Sequence, residues 1–399
     1  MITNIPKVAI LVSHPTQFEA PLYKFITESG LVDLRVYFWT TANTSKLIDP
    51  ELGHPPGWDF PLTEGYEWDL LPQKPRNLWK FIKQNIFQHG RFDAILISGW
   101  GHPVARLSLL CGILSRAPLV VVTDATRLYP CPLYKRLMRS GVFRIVFRLI
   151  PAFMVKGSLS KDYLRYYGVP EEKIFLFPYT VDNEMLAAKC NFYKQQKYTL
   201  RAKLGIVENT IVVLAVAKFV PREGVITLLE AYAQLQKNYR HTALVLVGDG
   251  PQKEMLQSFA QKNCSEKQVI FVGYQPYSYL PKYYALADVF VHPAIQEPWG
   301  VSVNEAMACG LPVIVSDRVG AAYDLVQDGE NGFIFRGGDV RSLQTVLERF
   351  FSIPENERLK MGAKSQDIIR TWSYRTNLQG LLAVVNYLKN KQRIVRHRQ

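Results

Sequence analysis

Short, nearly continuous apolar runs alternate with longer amphipathic runs along most of this chain. The amphipathic runs include 19–29, 104–114 and 158–168, the last with Ser158 as predicted N-cap and Gly168 as predicted end. The apolar runs of the first half are 8–13, 34–38, 94–98, 119–123 and 152–156. Such runs are typical of strands buried on both faces, and their alternation with helices predicts a parallel sheet.

The same alternation restarts in the second half, after a polar stretch rich in Lys and Gln at 182–200. Its predicted strands are 210–217, 244–248, 269–273, 289–293 and 311–317. The pattern predicts an α/β protein of two tandem doubly wound domains, over 1–185 and 186–370, facing each other across a cleft. We expect the last segment, 371–399, to form a helix that crosses back to the first domain.

Composition narrows the class of protein. A chain of 399 residues suits two domains, and 48% hydrophobic with 21% charged residues indicates a globular fold. The formal net charge of +14 favours an anionic ligand or an anionic lipid surface. We expect no nucleic-acid partner, because the chain has no recognition-helix, zinc-finger or aromatic RNA-binding pattern.

Cysteine usage and the N-terminal sequence favour a cytoplasmic location. The cysteines are odd in number, scattered and without metal-ligand spacing, so we expect reduced thiols. They are Cys111, Cys131, Cys190, Cys264 and Cys309. The chain opens without a signal-peptide core, and it contains no run of about 20 apolar residues, so we expect no membrane span.

A basic and apolar stretch at 133–153 has two interpretations. It is either an interfacial helix that docks on anionic lipid at the inner membrane face, or an ordinary covering helix whose basic side is solvated. Its basic residues are Lys135, Arg136, Arg139, Arg144 and Arg148.

The segment QEPWGVSVNEAMACG, at 296–310, holds two glutamates eight positions apart, Glu297 and Glu305. Glu297 follows a predicted strand, whereas Glu305 lies inside a helix predicted to start after Gly300 and to end at Gly310. The free N–H groups at Gly300, Val301 and Ser302 form a predicted anion site. A helix end that binds anions, with a carboxylate on each side, suits a sugar joined to a diphosphate.

These residues carry a resemblance to a known family. EPWGVSVNEAMACGLPVI resembles the family 4 retaining glycosyltransferases, which have the GT-B fold of two Rossmann-like domains. The match covers roughly 205–340, with looser similarity at 155–182. The resemblance implies a nucleotide-diphosphate sugar as donor substrate and no cofactor. It also implies catalytic contact of Glu297 with the transferred sugar and contact of Glu305 with the ribose hydroxyls.

The loop AKFVPREG, at 217–224, corresponds to the family's diphosphate-binding loop and departs from its pattern. Ala217 and Lys218 replace Gly-Arg, and Glu223 stands where the family has lysine. Lys218 supplies a point charge and Arg222 a bidentate fork for the diphosphate. We expect Glu223 to turn away, because a carboxylate that faced a diphosphate would repel it.

Two further loops of the second half resemble donor-binding loops of the family. In LVGDGP, Gly248 and Gly250 form a tight turn beside the diphosphate, so their first role is backbone geometry. In FVGYQP, Gly273 and Tyr274 either contact the nucleobase or form a plain strand-end turn.

The first half offers candidates at its strand ends. His14 and Gln17 in SHPTQFEAP are predicted to contact donor phosphate or acceptor, and His102 lies on the acceptor side. Asp124 stands where many family members have a histidine that contacts the transferred sugar. We assign His14 and Asp124 to the catalytic group, with Gln17 and His102 facing the acceptor.

The predicted function is retaining transfer of a sugar to a glycan or lipid-linked acceptor, in cell-envelope polysaccharide or glycolipid synthesis. The sequence contains no Asp-x-Asp, which fits metal-independent chemistry. Two alternatives remain: a non-catalytic scaffold or binding protein with this fold, kept open by Glu223, and a sugar-nucleotide epimerase. A dehydrogenase is excluded, since no G-x-G-x-x-G follows the first strand.

Overall fold

The computed structural model describes residues 5–40, 49, 51–53, 59–265 and 268–397. The chain forms two compact units. The first comprises 1–47, 60–180 and 373–399, and the second comprises 48–59 and 181–372. The second unit therefore includes a short segment, 48–59, that the predicted boundaries assign to the first domain.

The first unit has a parallel sheet with seven strands among the described residues, in the order β3-β2-β1-β4-β5-β6-β7. The strands are β1 (Lys7–Val12), β2 (Asp33–Phe38), β3 (Glu67–Leu70), β4 (Ala94–Ser98), β5 (Leu119–Thr123), β6 (Ala152–Val155) and β7 (Ile174–Leu176). The chain moves outward in both directions from β1 and β4, as in doubly wound folds. Its core consists of apolar side chains from these strands packed against the helices.

Six helices belong to this unit in the described residues: α1 (Glu19–Glu28), α2 (Pro75–Phe81), α3 (Pro103–Leu114), α4 (Leu133–Leu149), α5 (Ser158–Tyr166) and, from the C-terminal end, α15 (Tyr374–His397). A π-helical turn, Ile82–Ile86, continues α2. The last helix contacts β7 closely: a Cβ added to Gly380 would lie 2.0 Å from the Leu176 carbonyl oxygen.

The second unit has six parallel strands among the described residues, in the order β10-β9-β8-β11-β12-β13. They are β8 (Ile211–Val216), β9 (Thr242–Val247), β10 (Val269–Gly273), β11 (Val289–His292), β12 (Val313–Ser316) and β13 (Gly332–Phe335). The helices are α6 (Asn183–Lys194), α7 (Lys197–Lys203), α8 (Val225–Leu235), α9 (Lys253–Asn263), α10 (Leu280–Leu286), α11 (Val301–Ala308), α12 (Ala322–Leu325), α13 (Val340–Phe351) and α14 (Glu355–Arg370).

The predicted α/β class with two doubly wound units is confirmed, and so are all ten predicted strands with strong apolar runs. Three short strands were missed: β3, β7 and β13. Each lies at or near a sheet edge, where a strand has one neighbour and needs fewer apolar residues.

One local prediction was wrong. Ser158 is the first residue of α5, and Gly157 is the N-cap; Ser160 Oγ accepts a hydrogen bond from the Gly157 amide at 3.2 Å. The polar stretch 182–200 contains α6 and the start of α7, and its polar residues cover the solvent side of α6 while Leu186 and Cys190 are buried. Gly168 does end its helix, with φ +83°.

The prediction of reduced thiols was wrong for one pair. Cys190 in α6 and Cys309, the C-cap of α11, form a disulfide with their Cα atoms 5.6 Å apart. They are 119 positions apart in the chain, so spacing alone does not reveal the pair. Cys111, Cys131 and Cys264 are free thiols.

None of the helices in the described ranges combines the length and the apolar character needed to cross a bilayer.

Candidate active site

Two loops of the second unit meet where its strand order reverses. One follows β8 and holds Lys218 and Arg222, and the other follows β11 and leads to α11. The backbone joins them, because the amides of Ile295 and Gln296 donate to the Arg222 carbonyl oxygen at 2.8 and 3.3 Å. Loops at such a reversal are the usual ligand-binding position in open α/β sheets.

The loop after β11 leads into the N-terminus of α11. Gly300 is the N-cap of α11 with φ +93°, a conformation that favours glycine. The amides of Val301 and Ser302 have no acceptor within the described part of the chain. Such amides, together with the helix dipole, favour an anion.

Glu297 lies beside this helix end, and both its backbone and its side chain are held by hydrogen bonds. Its amide donates to the Arg318 carbonyl oxygen at 3.2 Å, and its own carbonyl accepts from the Gly320 amide at 3.0 Å. Its Oε2 accepts a hydrogen bond from Arg222 Nη1 at 2.8 Å. The structure thus brings Glu297 and Arg222, separated by 75 positions in sequence, into one ion pair.

Lys218 and Arg222 both contact carboxylates that the sequence did not indicate, those of Asp49 and Glu51. Lys218 Nζ donates to Asp49 Oδ2 at 2.6 Å and to Glu51 Oε2 at 2.9 Å. Arg222 forms a bidentate pair with Glu51, Nε to Oε1 at 2.6 Å and Nη2 to Oε2 at 2.8 Å. These hydrogen bonds from Arg222 lower the pKa of Glu51 to about 2. All four residues belong to the second unit.

Glu223 does not face solvent. Its side chain is 7% exposed, and its Oε1 lies 2.9 Å from Arg222 Nη1. Burial raises the pKa of this carboxyl to about 7, although the Arg222 charge works in the opposite direction. Part of its population is therefore neutral near neutral pH, which weakens the expected repulsion of a diphosphate.

Glu305 lies inside α11 and is 3% exposed. Tyr284 on α10 donates its hydroxyl hydrogen bond to Glu305 Oε2 at 2.7 Å, a partner that the sequence did not indicate. Burial raises the pKa of Glu305 to about 7. The ribose-binding role of Glu305 stays a prediction.

The glycine turns around this site have packing reasons of their own. A Cβ on Gly248 would lie 1.8 Å from the Ala217 carbonyl oxygen, and one on Gly250 would lie 2.7 Å from that of Phe219. These glycines hold the loop after β9 against the loop that carries Lys218. Gly273 has φ +82°, its carbonyl oxygen accepts from the Gly248 amide at 3.0 Å, and Tyr274 is half-buried.

In the first unit, two of the predicted residues follow β1 and one follows β4, the pair of strands at which this sheet reverses. Burial lowers the pKa of the His14 imidazole, and Gln17 is half-buried. His102 is the N-cap of α3: its Nδ1 accepts from the Val104 amide at 3.2 Å, and its ring stacks on Trp39. His102 therefore has a structural role, whatever it contacts in a complex.

Asp124 belongs to a charged cluster at the ends of β5 and β6. Tyr179 donates to Asp124 Oδ2 at 2.9 Å, and the Lys156 ammonium lies 4.6 Å from the Tyr179 ring centroid. Burial lowers the pKa of Lys156 and raises that of Glu19, while the charges of Glu19 and Asp124 partly offset the effect on Lys156. Lys156 and Glu19 were missed, since the sequence shows each as a single charge at an element boundary.

Comparison with known proteins finds a family match within the second unit. Residues 196–367 match the family Glycosyl transferases group 1. The chain is 32% identical over 184 residues to the GDP-mannose-dependent alpha-(1-6)-phosphatidylinositol monomannoside mannosyltransferase of Mycolicibacterium smegmatis, covering 44% of this chain and 48% of that relative. It is 31% identical over 148 residues to the alpha-monoglucosyldiacylglycerol synthase of Acholeplasma laidlawii, covering 37% of each. The chain thus spans half or less of the length of these relatives.

Solved structures resemble the chain over almost its whole length. Anabaena HepE in complex with UDP matches with a TM-score of 0.72 at 18% identity, covering 95% of this chain and 99% of that one. WaaG, a glycosyltransferase involved in lipopolysaccharide biosynthesis, matches with a TM-score of 0.63 at 18% identity, covering 95% and 99%. These similarities confirm the predicted GT-B fold.

Proposed function

We propose that the chain is a retaining glycosyltransferase, because residues 196–367 match the family Glycosyl transferases group 1. Its donor is a nucleotide-diphosphate sugar, and its acceptor is a glycan or a lipid-linked sugar in cell-envelope synthesis. One observation carries the proposal: Glu297 and Arg222 form an ion pair at 2.8 Å beside the free N-terminus of α11. A carboxylate for the sugar and positive groups for the diphosphate are thereby close together.

In the proposed reaction the bond between the anomeric carbon and the phosphate oxygen breaks, and a bond to the acceptor oxygen forms on the same face. The acceptor proton passes to the departing phosphate. Lys218, Arg222 and the helix end stabilise the negative charge that develops on the diphosphate, which is the role of preorganised donors in such sites. Glu297 orients the transferred sugar, and Glu305 holds the ribose.

We assign no cofactor and no metal to this reaction. The support is the side-chain chemistry: two cations and a helix N-terminus supply positive charge where other transferases use a divalent ion. His14 and Asp124 are proposed to contact the sugar, with Gln17 and His102 on the acceptor side. A lipid acceptor is supported by the two relatives, whose names refer to phosphatidylinositol monomannoside and monoglucosyldiacylglycerol.

The test is a thermal-shift panel with UDP, GDP, ADP, TDP and CMP, with and without EDTA. A ligand at a hundredfold its Kd stabilises by about 2.7 kcal/mol, which is measurable. We expect one nucleoside diphosphate to raise the Tm, equally with and without EDTA. In an activity assay, that diphosphate should then be released from its sugar nucleotide only when an acceptor is present. If none of these nucleotides raises the Tm, the proposal is contradicted.

A second candidate, a non-catalytic binding protein with the same fold, is favoured by the carboxyl groups around Lys218 and Arg222. If a diphosphate binds but neither transfer nor interconversion of the donor sugar occurs, this candidate replaces the first. Interconversion without an acceptor would indicate an epimerase instead.

We also propose that α4 docks the protein on an anionic membrane surface. Five large apolar residues of this helix are each more than half exposed: Leu133, Tyr134, Val142, Ile145 and Leu149. Arg139, Arg144 and Arg148 are exposed on the same helix, whereas the side chains of Lys135 and Arg136 lie outside the described residues. Apolar and basic groups on one exposed helix complement an anionic interface.

Flotation with phosphatidylglycerol vesicles at low salt tests this docking. We expect the protein to bind, and Ile145→Ser with Leu149→Ser to reduce binding severalfold, because both side chains insert below the headgroups. Val207→Ser with Leu359→Ser is the matched control, since both residues are exposed in the second unit. Docking through α4 is contradicted if the unaltered chain does not float with the vesicles. It is also contradicted if the control variant loses as much vesicle binding as the α4 variant.

A further inference from the structure

His292 is a buried imidazole whose ring makes no hydrogen bond to the described residues. It is the last residue of β11 and is 3% exposed, and neither Nδ1 nor Nε2 has a partner within the described residues. Buried polar groups are almost always hydrogen-bonded, because an unpaired one loses its bonds to water without replacement. An apolar side chain at this position would avoid that cost, so packing alone does not explain the histidine.

The ring lies against the start of α11. A Cβ added to Gly300 would lie 2.7 Å from both Cδ2 and Nε2 of His292, so the Nε2 edge of the ring faces the helix N-cap. The amides of Val301 and Ser302 are free at that helix end, within the described part of the chain. The helix end thus has a second hydrogen-bonding group beside it, one that is itself more than nine-tenths buried.

The charge state of this imidazole is decided by its surroundings. Burial, together with a smaller effect of the nearby Arg222 charge, lowers the pKa of His292 to about 4. At neutral pH the ring therefore carries one N–H donor and one acceptor nitrogen and no charge. A neutral donor in this position suits an oxygen ligand that Lys218 and Arg222 already attract.

We propose that His292 is a donor-binding residue, whose ring N–H donates to a phosphate oxygen held at the N-terminus of α11. This inference rests on the proposed transferase function and adds one residue to its donor site. Phosphate is the oxygen ligand that a helix N-terminus selects, since it meets the free amides and the dipole together.

Two substitutions test the proposal. His292→Leu removes the donor and the unsatisfied nitrogens together. We expect the Kd of the nucleoside diphosphate selected by the thermal-shift panel to rise about tenfold, the effect of one hydrogen bond to a charged group. The Tm of the ligand-free protein should stay the same or rise, because the buried unpaired nitrogens are gone. His292→Gln keeps an N–H donor near the Nε2 position and should bind better than His292→Leu.

The outcomes separate this inference from the proposed function. If the unaltered chain binds a diphosphate and His292→Leu binds it equally well, or His292→Gln binds no better than His292→Leu, the inference fails and the transferase proposal stands. A fall in Tm without a change in Kd would show a purely structural histidine and also overturns it. If the unaltered chain binds none of the panel, the proposed function fails and this inference falls with it.

A separate observation concerns Asp49 and Glu51, which hold both phosphate-binding cations. Within the described residues, four carboxyl groups surround Lys218 and Arg222: Asp49, Glu51, Glu223 and Glu297. Glu51 accepts two hydrogen bonds from the Arg222 guanidinium, which is the bidentate geometry that a phosphate would use. A diphosphate and these two carboxylates cannot share the cations, because their negative charges repel at hydrogen-bond distance.

We infer that Asp49 and Glu51 lower donor affinity by competing with the diphosphate for Lys218 and Arg222. Any diphosphate bound there must first replace their hydrogen bonds, so its apparent affinity falls by the cost of that exchange. This inference also rests on the proposed donor site, but it concerns a general anion and does not depend on the nucleobase.

Inorganic pyrophosphate is therefore the probe. Asp49→Asn with Glu51→Gln removes the charges while keeping side-chain size, and the Asp49 Oδ1 contact with the Glu51 amide, at 2.9 Å, has a counterpart in asparagine. We expect the Kd of pyrophosphate to fall about tenfold, and the donor KM to fall with it. Glu208→Gln with Glu254→Gln is the control, with the same charge change on exposed residues of the same unit.

The inference fails if the double variant binds pyrophosphate no more tightly than the unaltered chain. It also fails if the control variant gains as much pyrophosphate affinity as the double variant. Tighter pyrophosphate binding without transfer activity in any variant would support the competition and reject the transferase proposal instead.

Discussion

At the scale of single residues, Arg222 links the parts of the candidate site. It contacts Glu297 with one nitrogen and Glu51 with the other two, and Glu223 lies against it. A planar guanidinium with fixed donors can hold several carboxylates in defined directions, which lysine cannot do. Arg222 therefore orients Glu297, and in the proposed function it also offers charge to a diphosphate.

Glu297→Gln should reduce transfer far more than it reduces nucleotide binding. We expect kcat to fall by about a hundredfold, the usual effect of one electrostatic contact with the reacting group, while the Kd of the bare diphosphate changes by less than about threefold. Steady-state kinetics and calorimetric binding measure the two. Glu254→Gln, on an exposed position of α9, is the control, and activity within twofold of normal for Glu297→Gln would remove Glu297 from the catalytic group.

Glu305 predicts a pH dependence of stability. Its carboxyl keeps its proton in the folded chain up to a pKa of about 7, whereas the unfolded chain releases it near the ordinary value of 4.5. The folded state thus binds more protons between these values, so the free energy of unfolding falls as pH rises from about 4.5 to about 7. Glu223 acts in the same direction, since burial also raises its pKa to about 7.

Glu305→Gln should make the stability less dependent on pH across that window. Urea unfolding at about pH 5 and about pH 7.5 measures the difference. The exposed substitution Glu208→Gln should leave the difference as it is in the unaltered chain. A Glu305→Gln variant with the full original difference would mean that this carboxyl titrates alike in the folded and unfolded states.

At the scale of elements, the loop before α11 depends on a close backbone contact from the loop after β12. The Gly320 amide donates to the Glu297 carbonyl oxygen at 3.0 Å, and a Cβ on Gly320 would lie 1.8 Å from the Pro298 carbonyl oxygen. There is no room for a side chain between these loops. The position of Glu297 is therefore set by a neighbouring element and not by its own turn alone.

Gly320→Ala should destabilise the second unit and weaken diphosphate binding together. We expect a loss of about 1–3 kcal/mol in the free energy of unfolding, the range for overpacking a tight contact. Gly141→Ala is the matched control, since nothing lies within 4 Å of its added Cβ and the position is inside α4, where alanine is favourable. If urea unfolding finds Gly320→Ala as stable as the unaltered chain, the loops can separate at little cost.

At the scale of the whole molecule, stability is divided between two units, each with its own sheet and core. The disulfide between Cys190 and Cys309 lies in the second unit and closes a long loop, of 119 positions. In the chain-entropy account, such a crosslink stabilises the folded state by restricting the unfolded one.

Cys190→Ser with Cys309→Ser should lower the stability of the second unit by about 2–5 kcal/mol and leave the first unit unchanged. Hydrogen exchange read separately over β1–β7 and β8–β13 measures this. Cys264→Ser, a free and half-buried cysteine of the second unit, is the control. Equal exchange in the double variant and the control would mean that the crosslink contributes nothing to stability.

Local sequence patterns were sufficient to predict the main strands, the N-terminus of α11 and the two glutamates of the candidate site. Continuous apolar runs and period-3.6 patterns are local properties, and a helix start after Gly300 follows from a few adjacent residues. For this reason the ten main strands and α11 were predicted within a residue or two. The short edge strands were not, because their pairing partners, and not their own composition, make them strands.

Sequence patterns alone predict which residues lie together at the strand ends, since parallel strands bring their carboxyl ends to one edge of the sheet. The contacts of those residues depend on the folded chain. Tyr284 with Glu305, Glu51 with Arg222, and Cys190 with Cys309 pair across long stretches of chain. No spacing rule encodes such pairs, because they depend on how separate elements pack and on which charges are buried together.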